Sequence, residues 1–302
     1  MAQGFVRSSA SDELTLIGNV GDDDTIYGAY VSADLDTVLY TLAGIQGPDG
    51  WGIADDTFHV MGHLADIGVD SSFRLGDRDL AHCLARTAAL HEGATLSEVT
   101  LQMAAALGVG TRLLPASDDR VRTRVQTDSG SWFSFQDYFV RRGHLDPVVA
   151  VTFEGAADAR PAPGVIEAIG EAALVVVAPS NPPLSIWPIV AVPGIREAIE
   201  AKEFVIALSP LFGGKTLKGP AAEVLAGLGM ASGTGGILTA YDGLITDLVI
   251  DTEDAVDAGR YGGGSVRIHT ADTRIADVAA STRLAGELLA IAGAAAVPVK
   301  GT

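Results

Sequence analysis

The residues with the clearest potential for chemistry are five aspartates close together near the start of the chain. They are Asp22, Asp23, Asp24, Asp34 and Asp36. The apolar run 14–17 before them predicts a buried strand, and the segment 18–21 predicts a turn. Carboxylates at the end of a buried strand repel one another, so we expect a hard divalent cation carrying a phosphate among them. A solvated, acid-rich turn is the alternative that spacing alone leaves open.

Two later turns also follow buried strands and carry groups that suit phosphate oxygens. The residues concerned are Ser180, Asn181 and Pro182 after the run 173–178, and Gly213, Gly214, Lys215 and Lys218 after the run 204–209. Backbone amides in such turns bind anions, and the two lysines add positive charge. Each turn could equally serve only to reverse the chain, but their common placement after strands favours a ligand role.

Composition limits the function classes. The formal net charge of −18 over 302 residues argues against binding along a nucleic-acid backbone. The single cysteine, Cys83, excludes an internal disulfide. The sequence shows neither an apolar run long enough for a membrane span nor a signal peptide, so we expect a soluble, cytoplasmic protein. His59 and His63 have zinc-ligand spacing, but no Glu follows His59 as in a metalloprotease helix, so a structural pair is favoured.

Strand, turn and helix patterns alternate in the second half of the chain and predict a three-layer α/β/α fold. The sheet is expected to be mostly parallel and Rossmann-like, with the ligand cleft at the carboxyl ends of its strands. Residues 55–110 carry three helical patterns and predict a small helical insertion, which leaves 1–54 and 111–302 as the core domain. Alternating aromatic and polar residues predict a further strand over 131–140.

The motifs taken together resemble the 2-phospho-L-lactate transferase family of coenzyme F(420) biosynthesis. The resemblance covers nearly the whole chain, with the motifs in the same order. They are Asn19–Asp23, Asp34–Tyr40, Trp51–Ile53 with Asp56–Phe58, Leu75–Asp79, Leu114–Asp119, Phe135–Asp137, Pro179–Pro182, Val192–Arg196, and Ser209–Pro210 with Lys218–Ala221.

The resemblance implies a magnesium-dependent transfer of a phospho-lactyl or phospho-enolpyruvyl group. The donor would be linked to guanosine diphosphate, the acceptor would be the ribityl hydroxyl of a deazaflavin, and GMP would be released. By the same resemblance, Asp22 and Asp34 are expected to hold magnesium, and Asp36 and Arg74 to bind the deazaflavin. Ser180, Asn181 and Pro182 are expected to line the guanosine pocket. We interpret Asp36 as the general base, and the family resemblance implies a homodimer.

The sequence departs from the family pattern in three places. Family chains place a strand and a Gly-rich turn before the helix whose end resembles Ala2–Phe5, and this sequence does not contain them. A misassigned start or a fragment is the favoured interpretation, and loss of donor binding is the alternative. Ala33 stands where proline is frequent, and His82–Cys83 replaces Thr-His. The missing turn leaves an inactive truncated homologue as one competing hypothesis. A related branch of the same superfamily resembles regulators, so a non-catalytic regulator that binds a nucleotide or sugar nucleotide is the other.

Overall fold

The computed structural model describes residues 1–8, 13–48, 50–217 and 219–295. The helices are α1 (Ala2–Ser8), α2 (Ala33–Ala43), α3 (His59–Asp66), α4 (Asp77–His91), α5 (Leu96–Ala106), α6 (Val165–Glu171), α7 (Trp187–Val190), α8 (Ile195–Glu200), α9 (Ala221–Gly227), α10 (Thr234–Ala240), α11 (Val256–Tyr261) and α12 (Val278–Ala295). The strands are β1 (Thr15–Gly18), β2 (Asp24–Ile26), β3 (Ala29–Val31), β4 (Arg112–Pro115), β5 (Arg122–Thr127), β6 (Trp132–Ser134), β7 (Val148–Glu154), β8 (Val175–Val177), β9 (Val205–Leu208), β10 (Leu211–Phe212), β11 (Lys215–Thr216), β12 (Asp247–Asp251) and β13 (Arg267–Ala271).

Parallel strands form the centre of the fold. Four of them pair in the order β13–β12–β9–β8, and β1 pairs with β4 in a second parallel sheet. The central strands β9 and β12 are buried at every residue, as expected for apolar strands covered on both faces. The outer strands β1 and β8 are mostly half-buried.

Helices cover both faces of the four-stranded sheet. On one face, Ile206 and Leu208 of β9 pack in a cluster with Phe5 of α1 and Leu284 and Leu288 of α12. On the other face, the alternate residues of β9 and β12 join the main core with helices α6, α8 and α10; they include Val205, Ala207, Leu248, Ile250, Ile169, Ile195 and Ile237. This alternation confirms the predicted α/β fold with helices on both sides of a parallel sheet.

Antiparallel elements flank the parallel sheets. Strands β6, β5 and β7 form one antiparallel sheet, while β2–β3 and β10–β11 form hairpins. The predicted strand over 131–140 is wrong in its second half. Ser134 Oγ accepts a hydrogen bond from Asp137 N (3.1 Å), and Asp137–Arg141 forms a π-helical turn. The aromatic alternation therefore marks a half-buried surface that passes from strand to turn.

The region 55–110 contains α3, α4 and α5, but its packing divides in two. Met61 and Cys83 from α3 and α4 form a cluster with Ile26 and Val31 of the β2–β3 hairpin. Leu96 and Ala104 of α5 belong to the main core. A separate insertion over 55–110 thus stays a prediction. Its first two helices, α3 and α4, pack with the β2–β3 hairpin.

Among the described residues, no helix combines the length and apolar character that a membrane crossing requires.

Candidate active site

Asn19 joins the turn after β1 to the first turn of α2. Its Oδ1 accepts a hydrogen bond from Gly21 N (2.7 Å), and its Nδ2 donates to Asp34 Oδ2 (2.9 Å). Gln136 Nε2 holds the same turn from the other side by donating to the carbonyl oxygen of Asp22 (2.7 Å). These bonds bring together the carboxyl groups of Asp22 and Asp34, the two predicted magnesium ligands.

Gly21 is required for the close packing of this turn. A Cβ there would lie 2.4 Å from Thr123 Oγ1 and 2.8 Å from Pro188 Cβ, both too short. Pro188 belongs to α7, which follows β8 and the turn at Ser180. The acidic turn after β1 and the segment after β8 therefore lie side by side, as the strand-end argument predicts.

The Asp22–Asp34 pair is not neutralised by a cation of the protein within hydrogen-bond distance among the described residues. Asp22 is only 4% exposed, and its Oδ1 is buried without a hydrogen-bond partner. Burial first, and then the charge of Asp34, raise the pKa of Asp22 well above its ordinary value, and burial raises the pKa of Asp34. Buried carboxylate oxygens with an unused acceptor fit the oxygen-ligand preference of magnesium, so the residues present fit that ion.

Asp23 stabilises the acidic turn through its hydrogen bonds. Its carboxylate accepts hydrogen bonds from Ser32 Oγ and Tyr30 Oη, both at 2.8 Å. Burial raises the pKa of Asp23 to about 7, and the positive charge of Arg122 opposes that shift. Asp23 is thus tied to the start of α2, while Asp22 beside it keeps a free oxygen.

Asp36 lies two residues after Asp34 on α2, but its side chain points into a different environment. Its carboxylate accepts hydrogen bonds from both terminal nitrogens of Arg86, with Nη1 to Oδ2 at 3.0 Å. Arg86 is 1% exposed and also donates to the carbonyl oxygen of Tyr30 (3.1 Å). The protein itself therefore supplies the cation for Asp36, in the bidentate geometry typical of arginine and carboxylate.

Asp79 and Cys83 come close to Asp36, and ligand atoms of the three lie within 4.8 Å of one another. Because Arg86 already pairs with Asp36, a second cation is less favoured here than at Asp22 and Asp34. Asp79 Oδ1 accepts from Tyr40 Oη (2.8 Å). Burial raises the pKa of Asp79 to about 6, and the charge of Asp36 adds to this.

The sequence analysis did not identify Arg86. It lies three residues after Cys83 and six after Leu80, on the buried face of α4. An arginine in register with two core residues of a helix is the signal that could have pointed to a buried ion pair.

The other predicted ligand residues lie in three separate places. Arg74 is exposed, with its guanidinium 4.4 Å from the centre of the Phe58 ring, and no hydrogen bond or ion pair joins it to Asp36 in the part of the chain that is described. Asn181 Oδ1 accepts from Leu184 N (3.4 Å), while its Nδ2 is buried without a partner and is free to bind a ligand oxygen. Pro182 begins the π-helical turn Pro182–Ile186 beside it, directly after Ser180 and Asn181.

Gly213, Gly214 and Lys215 form the hairpin turn between β10 and β11. Both glycines have positive φ (58° and 74°), and Lys215 is exposed. Burial raises the pKa of Asp254, and the backbone amides of Gly214 and Gly213 oppose that shift. These amides therefore face a carboxylate of the protein. Their predicted phosphate role stays a prediction, and Lys218 lies outside the described residues.

An open cleft adjoins the acidic turn. One side is the segment 21–24, and the other is formed by β5, β6 and the end of β7. The fold and this site together define a mixed α/β protein with an unneutralised carboxylate pair, buried at Asp22, beside a cleft between the end of β1 and the antiparallel sheet.

Comparison with known proteins identifies the family. The model of the family described as "2-phospho-L-lactate transferase CofD" matches residues 1–281. A phosphoenolpyruvate transferase of Streptomyces coelicolor is 42% identical over 297 residues, which cover 96% of this chain and 93% of that protein. A 2-phospho-L-lactate transferase of Methanopyrus kandleri is 38% identical over 284 residues, which cover 92% of this chain and 90% of that protein.

A solved structure gives independent support for the fold. A Bacillus halodurans protein described as a member of the UPF0052 family superposes with a TM-score of 0.59 at 15% identity, over 95% of each chain. At that identity the likeness concerns the fold alone. The family model and the relatives carry the assignment: this chain belongs to the 2-phospho-L-lactate transferase CofD family. It is therefore a transferase of phosphate-linked groups in coenzyme F(420) biosynthesis, and the predicted resemblance is confirmed.

Proposed function

We propose that this protein transfers a phospho-lactyl or phospho-enolpyruvyl group from a guanosine-diphosphate-linked donor to the ribityl hydroxyl of a deazaflavin, with magnesium. The observation that carries the proposal is the Asp22–Asp34 pair, in which Asp22 is buried, Asp34 is half-buried, the two carboxyl groups repel each other, and one oxygen of Asp22 is open. Magnesium bound by these two carboxylates would neutralise the diphosphate and the charge that develops on the leaving group.

The reaction is an in-line displacement at phosphorus. The deazaflavin hydroxyl oxygen attacks the phosphorus that carries the three-carbon acid. The bond from that phosphorus to the bridging oxygen of the diphosphate breaks, and GMP leaves with the electron pair. The hydroxyl proton passes to a carboxylate, for which Asp36 is the predicted acceptor.

The surroundings of Asp36 favour a role in positioning the site, in addition to its predicted role as the proton acceptor. Its pairing with buried Arg86 fixes the carboxylate and withdraws its lone pairs from other donors. Asp79, with a pKa raised to about 6, is the neighbouring carboxylate better matched to accepting a proton near neutral pH. On the guanosine side, the free Nδ2 of Asn181 supports the predicted contact with the donor. A homodimer stays a prediction.

The proposal is tested by a transfer assay with deazaflavin, magnesium and each of the two guanylylated donors, with GMP release as the measurement. We expect Asp22→Asn and Asp34→Asn each to lower kcat/KM by at least about a hundredfold, because each removes one anionic ligand of the cation. Asp66→Asn, at an exposed site on α3, is the matched control and should keep wild-type activity.

Two outcomes would change the proposal. Full activity in Asp36→Asn together with its loss in Asp22→Asn would refute Asp36 as the base and leave the metal role intact. No GMP release by the folded wild-type protein with either donor would refute the transferase proposal. Binding of a sugar nucleotide without binding of deazaflavin would then support the regulator hypothesis.

A further inference from the structure

One wall of the cleft beside the acidic turn is basic, and its residues have no role in the reaction proposed above. Arg120, Arg122 and Arg124 line it, spaced two residues apart where the chain enters and follows β5. In an extended segment this spacing directs side chains to one face. Three arginines in five residues are notable in a chain with a net charge of −18.

Contacts with the protein occupy the arginines only in part. Arg122 Nη1 donates to the carbonyl oxygens of Val121 (2.6 Å) and Val20 (3.4 Å), and its guanidinium lies 5.4 Å from the centre of the Tyr30 ring. Arg124 Nε is 3.5 Å from Glu154 Oε1, an ion-pair distance too long for a good hydrogen bond. Arg122 is therefore held in place with donors remaining, and Arg124 keeps an unused donor.

Unsatisfied polar atoms concentrate at this cleft. Eight buried side-chain atoms lack a hydrogen-bond partner among the described residues, and three belong to residues that line the cleft: Asp22 Oδ1, Thr123 Oγ1 and Arg124 Nε. The Thr123 side chain faces Asp22 and opposes the rise of its pKa, so it does not itself point to a ligand. Buried polar groups in folded proteins almost always have partners, so Asp22 Oδ1 and Arg124 Nε are open to a ligand. An acceptor on one side and donors on the other suit a ligand that presents a cation to Asp22 and an anion to the arginines.

We infer that Arg122 and Arg124, with Arg120 at the rim, bind the carboxylate of the three-carbon acid on the donor. This rests on the proposed function and assigns to the same site the group that selects the donor. With the diphosphate on the cation at Asp22 and Asp34, the carboxylate is the remaining charged group, attached one carbon from the ester oxygen. Arginine pairs with carboxylates through two parallel hydrogen bonds, which fixes orientation as well as position.

The charges in the cleft make this binding depend on the metal. Asp22, Asp23, Asp24 and Glu154 line the cleft together with the three arginines. The acidic groups in this lining oppose the attraction of the three arginines for an anion. A divalent cation on Asp22 and Asp34 offsets that opposition and lets the carboxylate bind.

The test is equilibrium binding by calorimetry without deazaflavin, so that no transfer occurs. The two ligands are the lactyl ester and the isopropyl ester of guanosine diphosphate, which differ only in a carboxylate replaced by a methyl group. In the wild-type protein with magnesium, we expect the lactyl ester to bind at least about tenfold more tightly, as a charge-assisted hydrogen-bonded pair implies. Without magnesium the preference should disappear.

Arginine variants then locate the preference. Arg124→Met and Arg122→Met should each reduce it to about twofold or less, while affinity for the isopropyl ester stays unchanged. Arg124→Lys should keep part of it, because charge remains but the paired geometry is lost. Arg283→Met on α12, far along the chain, is the matched control. Thermal melting checks folding, and Arg120→Met, at an exposed residue, provides a variant whose folding is not in question.

The outcomes separate the inference from the proposed function. Equal affinity of the wild-type protein for both esters, or a preference that survives in Arg122→Met, Arg124→Met and Arg120→Met, overturns the inference alone. Binding of neither ester by the folded wild-type protein overturns the proposed function and the inference with it.

Discussion

Two acidic positions on the first turn of α2 show how differently the fold treats neighbouring carboxylates. Asp36 is buried against the bidentate guanidinium of Arg86, so its charge is balanced inside the protein. Asp34 lies beside buried Asp22, and among the described residues only the uncharged side chains of Asn19 and Thr123 donate to this pair. The first arrangement is complete without a ligand, whereas the second becomes favourable only when a cation arrives. Burial alone therefore does not mark a functional acid; burial without a counter-charge does.

The largest effect is expected where the balanced pair is broken. Arg86→Met leaves the Asp36 carboxylate buried and unpaired, so the free energy of unfolding should fall by about 3–5 kcal/mol. Urea denaturation measures this. Arg86→Met combined with Asp36→Leu should recover much of the loss, because no unpaired charge remains. A loss below about 1 kcal/mol in Arg86→Met would show that Arg86 does not balance the buried charge of Asp36.

A smaller effect, a gain in stability, is expected when the Asp22–Asp34 pair loses one of its carboxyl groups. The pKa values of Asp22, Asp34 and Asp23, the last at about 7, are raised by burial above the ordinary value of 3.8. The folded protein thus holds these protons more tightly than the unfolded chain. Their contribution to stability is full below the ordinary pKa and is lost as pH rises through the raised pKa of each group, which is about 7 for Asp23. Asp22→Asn should therefore stabilise the metal-free protein at pH 8, by less than Arg86→Met destabilises it, and should have much less effect at pH 4.

Denaturation curves at the two pH values, with a chelator and then with magnesium, check this prediction. Magnesium should stabilise the wild-type protein and have little effect on Asp22→Asn. Asp66→Asn is again the control. If Asp22→Asn destabilises the protein equally at both pH values, Asp22 is a structural residue and the contrast with Asp36 fails.

The smallest effect is expected at an exposed ion pair of the same chemical type. Asp137 and Arg141 are 3.1 Å apart, and both side chains are 42% exposed. Asp137→Asn should change the free energy of unfolding by no more than about 0.5 kcal/mol, because solvent screens the pair. A loss comparable to that of Arg86→Met would show that burial does not explain the difference.

The sequence predicted the acidic turn well because strand, turn and acids are local features. The run 14–17, the turn after it and Asp22 follow one another directly, and β1 and the turn lie where the pattern placed them. The parallel strands β8 and β9 were equally recognisable as short apolar runs, since buried parallel strands carry few polar residues.

The parts that could not be predicted depend on distant contacts. Arg86 meets Asp36 across fifty residues of sequence, and no local pattern names the partner. The amides of Gly213 and Gly214 suggested a phosphate site, but they face Asp254, which follows a different strand. Over 131–140, the alternation that suits a strand continues into a turn because one side of both is buried.

The placement of Cys83 has a practical consequence. This residue, the single cysteine of the chain, is fully buried on α4, and burial raises the pKa of its thiol to about 12. Alkylating reagents need an accessible thiolate, so they can reach this sulfur only while the packing around α4 transiently opens. The labelling rate of the natural protein therefore reports how often the neighbourhood of the Asp36–Arg86 pair opens, without the introduction of any probe.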